Sequence, residues 1–131
     1  EVNEAARNEL AVNEAAGKEP IGTEAGGTEP AGSETDGKIG PEVLQKVFDI
    51  IADRLKNPRE GSYTNYLFAK GLDKILKKIG EEASEVVIAS KNGSRDEIKG
   101  EIADLMYHIM VLLAERGMSL GDVYGELAQR F

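Results

Sequence analysis

An all-α fold is the class this sequence predicts, and three observations carry it. No stretch alternates apolar and polar residues with period two. After residue 41, apolar residues recur at spacings of three and four. Helix start and stop signals bound each such run: Pro41, Asn57-Pro58, Ser62, Gly93, Ser94 and Ser119. The expected architecture is a four-helix bundle over residues 41–131, preceded by a tail over residues 1–40.

The tail is a degenerate decapeptide repeat, VNEAARNELA, VNEAAGKEPI, GTEAGGTEPA and GSETDGKIGP, running from Val2 to Pro41. Its apolar content is mostly alanine, with glycine and proline increasing along the series. Such a segment buries too little surface to offset the entropy of ordering, so we expect a disordered tail or linker. Pro41 suits the first turn of the first helix, whose stripe is Leu44, Val47, Phe48, Ile51 and Leu55. Ser62 or Thr64 can cap the second, which should run through Leu72, Ile75, Leu76, Ile79, Ala83, Val86 and Val87 to about Ser90. Gly93 is its stop. Ser94 with Glu97 makes a capping-box pattern for the third helix, whose stripe is Ile98, Ile102, Leu105, Ile109, Leu112 and Leu113. Ser119 with Asp122 repeats that signal before Val123 and Leu127. Met106, Met110 and Val111 lie away from Ile102 and Leu105, so the third helix is apolar on most sides. Four short helices cannot bury all of it, and homo-oligomerisation is expected to.

Composition narrows the function. Cysteine is absent, which excludes a disulfide framework, a thiolate metal site and a thiol nucleophile. No apolar run approaches the roughly 20 residues of a membrane span, and no signal peptide opens the chain, so a cytoplasmic protein is expected. The formal net charge of −8 argues against nucleic acid as a partner. Most of that charge belongs to the tail, with nine acids against three bases in residues 1–40 and fifteen against thirteen in residues 41–131.

The chemistry concentrates in Glu81, Glu82, Glu85, Glu101 and Asp104. Glu85 is eight residues before Gly93 and Glu101 eight after it; Glu82 and Asp104 are each eleven away. In an antiparallel hairpin of helices rising about 1.5 Å per residue, Glu85 would face Glu101 and Glu82 would face Asp104. The competing reading is a solvated face, since Lys77 and Lys78 precede Glu81 and Glu82 at helix-pair spacing. Against it, Glu82 lies about 40° around the helix from Val86 and about 60° from Ile79, at the edge of the buried stripe. Carboxylates there repel one another and lose solvent unless a cation neutralises them. An all-carboxylate set suits Mg²⁺, or Mn²⁺, and Mg²⁺ typically also binds substrate phosphates. Lys70, Lys74 and Lys78 form a ladder leading to the acids, as a polyphosphate-binding row would. His108, the one histidine, follows Asp104 by four residues and is expected either to bond to it as an orienting or structural partner or to take a direct catalytic role. Gly80 and Gly100 each precede an acid within a helix, as a close helix approach would require.

The pattern EExxE, fifteen residues, then ExxD resembles the MazG-type all-α nucleotide pyrophosphohydrolases. Ser62-Tyr63-Thr64, Leu67–Gly71, Lys74–Ala83, Glu85–Ala89 and Ala103–His108 are more narrowly similar to the phosphoribosyl-ATP pyrophosphatases of histidine biosynthesis. The resemblance covers residues 43–130 and not the repeat. It implies a homodimer that cleaves 1-(5-phosphoribosyl)-ATP, with Mg²⁺, to phosphoribosyl-AMP and pyrophosphate. Glu82, Glu85, Glu101 and Asp104 would be ligands, and Glu81 a supporting group or the base that orients water. Lys70, Lys74, Lys78 and His108 would meet the substrate. In some organisms such a domain is fused behind phosphoribosyl-AMP cyclohydrolase, the pathway neighbour. A housecleaning hydrolase of other nucleoside triphosphates, or a catalytically silent metal-binding dimer, would share the same motif.

Overall fold

The computed structural model describes residues 39–131, and among them the secondary structure is entirely helical. The disordered-tail expectation for residues 1–40 therefore lies outside the described residues, save Ile39 and Gly40. The helices are α1 (Glu42–Lys56), α2 (Tyr63–Lys70), α3 (Leu72–Asn92), α4 (Arg95–Glu115) and α5 (Leu120–Arg130).

The all-α expectation holds, with five helices rather than four among the described residues, because Gly71 divides the second. Gly71 has φ 89° and ψ −176°, a conformation essentially reserved for glycine. Its N–H still closes α2 on the Leu67 carbonyl, while its own carbonyl accepts the first α3 bond from Ile75. One residue thus serves as the end of one helix and the start of the next, and the chain changes direction there. Gly93, at φ 77°, is the left-handed stop that lets α4 fold back on α3. Ser62, not Thr64, caps α2, and Ser94 caps α4. Ser119 and Asp122 complete a reciprocal capping box on α5.

The antiparallel α3–α4 hairpin is the main packing unit, and α2 lies against both of its arms. Ile51, Leu67, Ile75 and Val111 are fully buried, one from each of α1 to α4. Asn65 ties the α1–α2 connection: its amide donates to the Arg54 carbonyl, and its carbonyl oxygen accepts from the Arg59 N–H.

The burial of α4 corrects the expectation in part. Met110 and Val111, expected at a subunit interface, are buried within the protomer at 4% and 0% exposure. Ile102 and Ile109, expected in the core, are 41% and 39% exposed, beside Met106 at 39%. The reason is which face turns inward. On α4 that face runs through Ile98, Glu101, Asp104, Leu105, His108 and Val111; on α3 it runs through Ile75, Lys78, Glu82 and Ala89. Polar and charged groups occupy the seam of the hairpin and displace apolar neighbours outward. A Cβ built at Gly80 or Gly100 meets nothing within 4 Å, so no helix crowds those glycines within the protomer.

Gly71→Ala tests the break between α2 and α3. A Cβ there meets no atom within 4 Å, so the whole cost lies in the backbone. Urea unfolding should show a loss of about 1–3 kcal/mol; an unchanged midpoint would mean that α2 and α3 tolerate a continuous helix.

Candidate metal centre

Glu82 and Glu85 stand one turn apart on α3, and Glu101 stands on the facing turn of α4. Equal distances from Gly93 bring Glu85 and Glu101 to the same level of the hairpin. One carboxylate oxygen from each of Glu82, Glu85 and Glu101 lies within 4.8 Å of the others. Glu82 is 6% exposed, and its Oε2 and that of Glu101 are buried without a hydrogen-bond partner. Buried carboxylate oxygens left in that condition are costly. Two such groups sharing a space with the more exposed Glu85 fit a hard divalent cation that takes oxygen ligands. Asp104 is half-buried and outside that tight group, though within its electrostatic field.

The titration behaviour follows from this crowding. A hydrogen bond shared with Glu101, then burial, pushes the Glu85 carboxyl above its ordinary value. Burial, then the charges of Glu82 and Glu85, push Asp104 up as well. Both are the signature of negative groups held together against repulsion.

Lys78 reaches the cluster directly. It is 8% exposed, with Nζ 3.1 Å from Glu82 Oε1 and 3.3 Å from Glu81 Oε2. Burial works against its ammonium, but the hydrogen bonds and charges of Glu82 and Glu81 outweigh that and hold its pKa above the ordinary value. Glu81 is more open and also pairs with Lys77 at 3.8 Å. Lys70 and Lys74, on opposite sides of the Gly71 break, both lie over the Tyr66 ring, at 5.7 and 5.9 Å from its centroid.

His108 is held at both ring nitrogens. Nδ1 lies 2.7 Å from the Asp104 main-chain carbonyl and Nε2 lies 3.0 Å from the Tyr63 hydroxyl. A carbonyl can only accept, so the assigned tautomer carries its proton on Nδ1 and accepts the Tyr63 O–H at Nε2. Burial lowers the His108 pKa, only partly offset by that carbonyl, and keeps the ring neutral at pH 7. The expected link to Asp104 is present, made to its backbone. Tyr63, Tyr107 and His108 pack edge-on and stacked around this contact, and the Tyr107 hydroxyl meets Thr64 Oγ1. Burial keeps the Tyr63 and Tyr107 phenols protonated.

Reasoning from spacing did not find Tyr63, Tyr107 or Arg54 as parts of this polar interior. Arg54 is 6% exposed and pairs with Asp53 at 2.9 Å. Its one sequence signal, a charge within the α1 repeat, also fits an ordinary basic residue in a last helical turn.

The chain has clear relatives. Residues 44–131 match the family described as phosphoribosyl-ATP pyrophosphohydrolase. A protein of Clostridium botulinum named phosphoribosyl-ATP pyrophosphatase is 58% identical over 88 residues, covering 67% of this chain and 80% of the relative. Its namesake in Limosilactobacillus fermentum is 54% identical over 87 residues, covering 66% and 82%. The histidine biosynthesis bifunctional protein HisIE of Caldanaerobacter subterraneus is 62% identical over 92 residues, which cover 70% of this chain. The chain spans only 45% of the length of that bifunctional relative.

The raised carboxyls make a pH prediction. A folded-state value above the unfolded one means that the folded protein binds these protons more tightly. Glu85 and Asp104 therefore subtract stability above their folded values, and the loss is recovered as pH falls through them toward the ordinary 4.5 and 3.8. With divalent ions chelated, the wild type should gain stability on entering that window from pH 7, and Glu85→Gln should gain less. Thermal melts across pH in EDTA measure this. Identical profiles would remove Glu85 from the repelling group.

Proposed function

The chain belongs to the phosphoribosyl-ATP pyrophosphohydrolase family, and from that premise we propose that it hydrolyses 1-(5-phosphoribosyl)-ATP to phosphoribosyl-AMP and pyrophosphate, the second step of histidine biosynthesis. The observation that carries this reading is the meeting of Glu82, Glu85 and Glu101 within 4.8 Å, with two buried oxygens lacking a partner. Residues 41–131 form the catalytic domain, acting in the cytoplasm and handing phosphoribosyl-AMP to the cyclohydrolase step. Among the described residues, no helix is long and apolar enough to cross a membrane.

Glu82, Glu85 and Glu101, with Asp104 alongside, hold Mg²⁺. The bound ion would supply charge neutralisation for the phosphates and lower the pKa of a water molecule. The chain's own groups do the rest. Glu81, partly exposed beside Glu82, orients the attacking water and accepts its proton. Lys70 and Lys74, gathered over Tyr66, take the phosphate oxygens. Lys78 adds positive charge from the acidic side of the same flank. His108 has both nitrogens engaged and so positions the Asp104 turn rather than exchanging protons. Transition-state charge is thereby met by groups already in place.

The active unit is a homodimer. Ile102, Met106 and Ile109 of α4 and Val87 and Ile88 of α3 are all exposed, the last two at 63% and 59%. In α5, every residue from 121 to 130 is exposed, Val123, Tyr124 and Leu127 included. Apolar faces on neighbouring helices suit an interface that extends the protomer core.

Glu82→Gln and Asp104→Asn should each lower pyrophosphate release from phosphoribosyl-ATP by about two orders of magnitude, some 2.7 kcal/mol of transition-state stabilisation. Both should also lose any rise in melting temperature on adding Mg²⁺, since a ligand stabilises only through its affinity for the folded state. Near-normal turnover by either variant would move the mechanism elsewhere. Faster turnover of plain nucleoside triphosphates than of phosphoribosyl-ATP would favour the housecleaning alternative.

The assembly has its own test. Sedimentation at micromolar concentration should give a dimer, and Ile102→Glu with Met106→Glu should shift it to monomer with loss of helicity. A folded, active wild-type monomer would contradict the proposal.

A further inference from the structure

We infer that Lys78 is the resident counter-ion of the carboxylate cluster, which yields its place to a divalent cation and then turns to the phosphates of the substrate. This rests on the reading of Glu82, Glu85 and Glu101 as cation ligands.

Lysine is rarely this buried, and its long stem ordinarily carries the ammonium out to water. Lys77, the residue before it, behaves that way, with a side chain 68% exposed. Lys78 instead turns inward to a side-chain exposure of 10% and bridges Glu82 and Glu81 at 3.1 and 3.3 Å. Glu82 is thus divided. Oε1 holds the ammonium, while Oε2 is buried without a partner, and one oxygen of this same carboxylate lies within 4.8 Å of those of Glu85 and Glu101.

A divalent cation on Glu82 and the Lys78 ammonium would share one carboxylate. At such separations in a partly buried setting, like charges repel strongly. The two cations are therefore competitors for Glu82. Lys78 keeps the cluster from carrying its full negative charge and holds down its affinity for the cation alone. The released ammonium stays on a flexible four-carbon stem on the flank that Lys70 and Lys74 occupy. A phosphate arriving there gives it a new anionic partner, so phosphate and cation assist each other's binding, each by the same factor.

Calorimetric titration with Mn²⁺ alone, without nucleotide, tests this on wild type, Lys78→Met and Lys78→Arg. Methionine keeps most of the stem and removes the charge; it should raise Mn²⁺ affinity about ten-fold. Arginine restores the charge and should bring affinity back toward wild type. Equal or weaker binding by a folded Lys78→Met overturns the inference. A second measurement needs no variant. In the wild type, acylation of Lys78 followed by mass spectrometry should be slow without cation and several-fold faster with Mn²⁺. A Lys78 that stays protected when Mn²⁺ is bound overturns the inference equally. Glu82→Gln separates the two levels. If Mn²⁺ binds wild type and Glu82→Gln alike, the cation-site reading fails and takes this inference with it. If binding needs Glu82 but neither Lys78 test responds, the counter-ion inference alone is wrong.

Discussion

Negative charge placed on the inward seam of a helical hairpin is the constraint on which the rest of this molecule depends. Glu82, Glu101 and Asp104 lie between α3 and α4, where an ordinary hairpin would put leucine and isoleucine. Each carboxylate there needs a partner, because solvation lost on burial must be replaced. Lys78 supplies one from within the same helix, leaving Glu82 Oε2 and Glu101 Oε2 without hydrogen bonds. The energetic deficit and the proposed cation site are the same feature.

That constraint reaches into the packing. A helix has a limited inward face, and the face given to the site is unavailable to the core. Apolar residues that would fill it appear instead on the outside: Ile102, Met106 and Ile109 on α4, and Val87 and Ile88 on α3. Within the protomer the fully buried centre of the core is Ile51, Leu67, Ile75 and Val111, one residue from each of α1 to α4. A partner subunit would convert the outward apolar surface into a second core, making assembly and site two consequences of one placement.

A polar layer next to the site keeps it rigid. His108 cannot be a free base, since its Nδ1 proton goes to the Asp104 carbonyl and its Nε2 lone pair receives the Tyr63 hydroxyl. Those two bonds join the first turn of α2 to the Asp104 turn of α4. The Gly71 bend then sets Lys70 on one helix and Lys74 on the next, both above Tyr66. Positive charge is thus organised by an aromatic ring and a glycine kink, negative charge by a helical hairpin. The two meet at Lys78.

The sequence by itself determined the helical class, the Gly93 turn, the Ser94 and Ser119 starts, and the meeting of Glu85 with Glu101. These follow from period, capping chemistry and equal counting along two arms, all local properties. The break at Gly71 was not legible, because glycine inside an apolar repeat reads equally as a tolerated interior residue until its φ is known. The burial of Met110 and Val111 over Ile102 and Ile109 was not legible either. A helix apolar on most sides carries no mark of which side faces inward, and only packing against α2 and α3 chooses. The inward turn of Lys78 and the double anchoring of His108 belong to the same kind. Lys70, Lys74 and Lys78 look alike in sequence, but position on the bent α2–α3 pair puts the first two over Tyr66 and turns Lys78 inward onto Glu81 and Glu82. Tertiary structure decided that, because a charge's partner is set by distance in space.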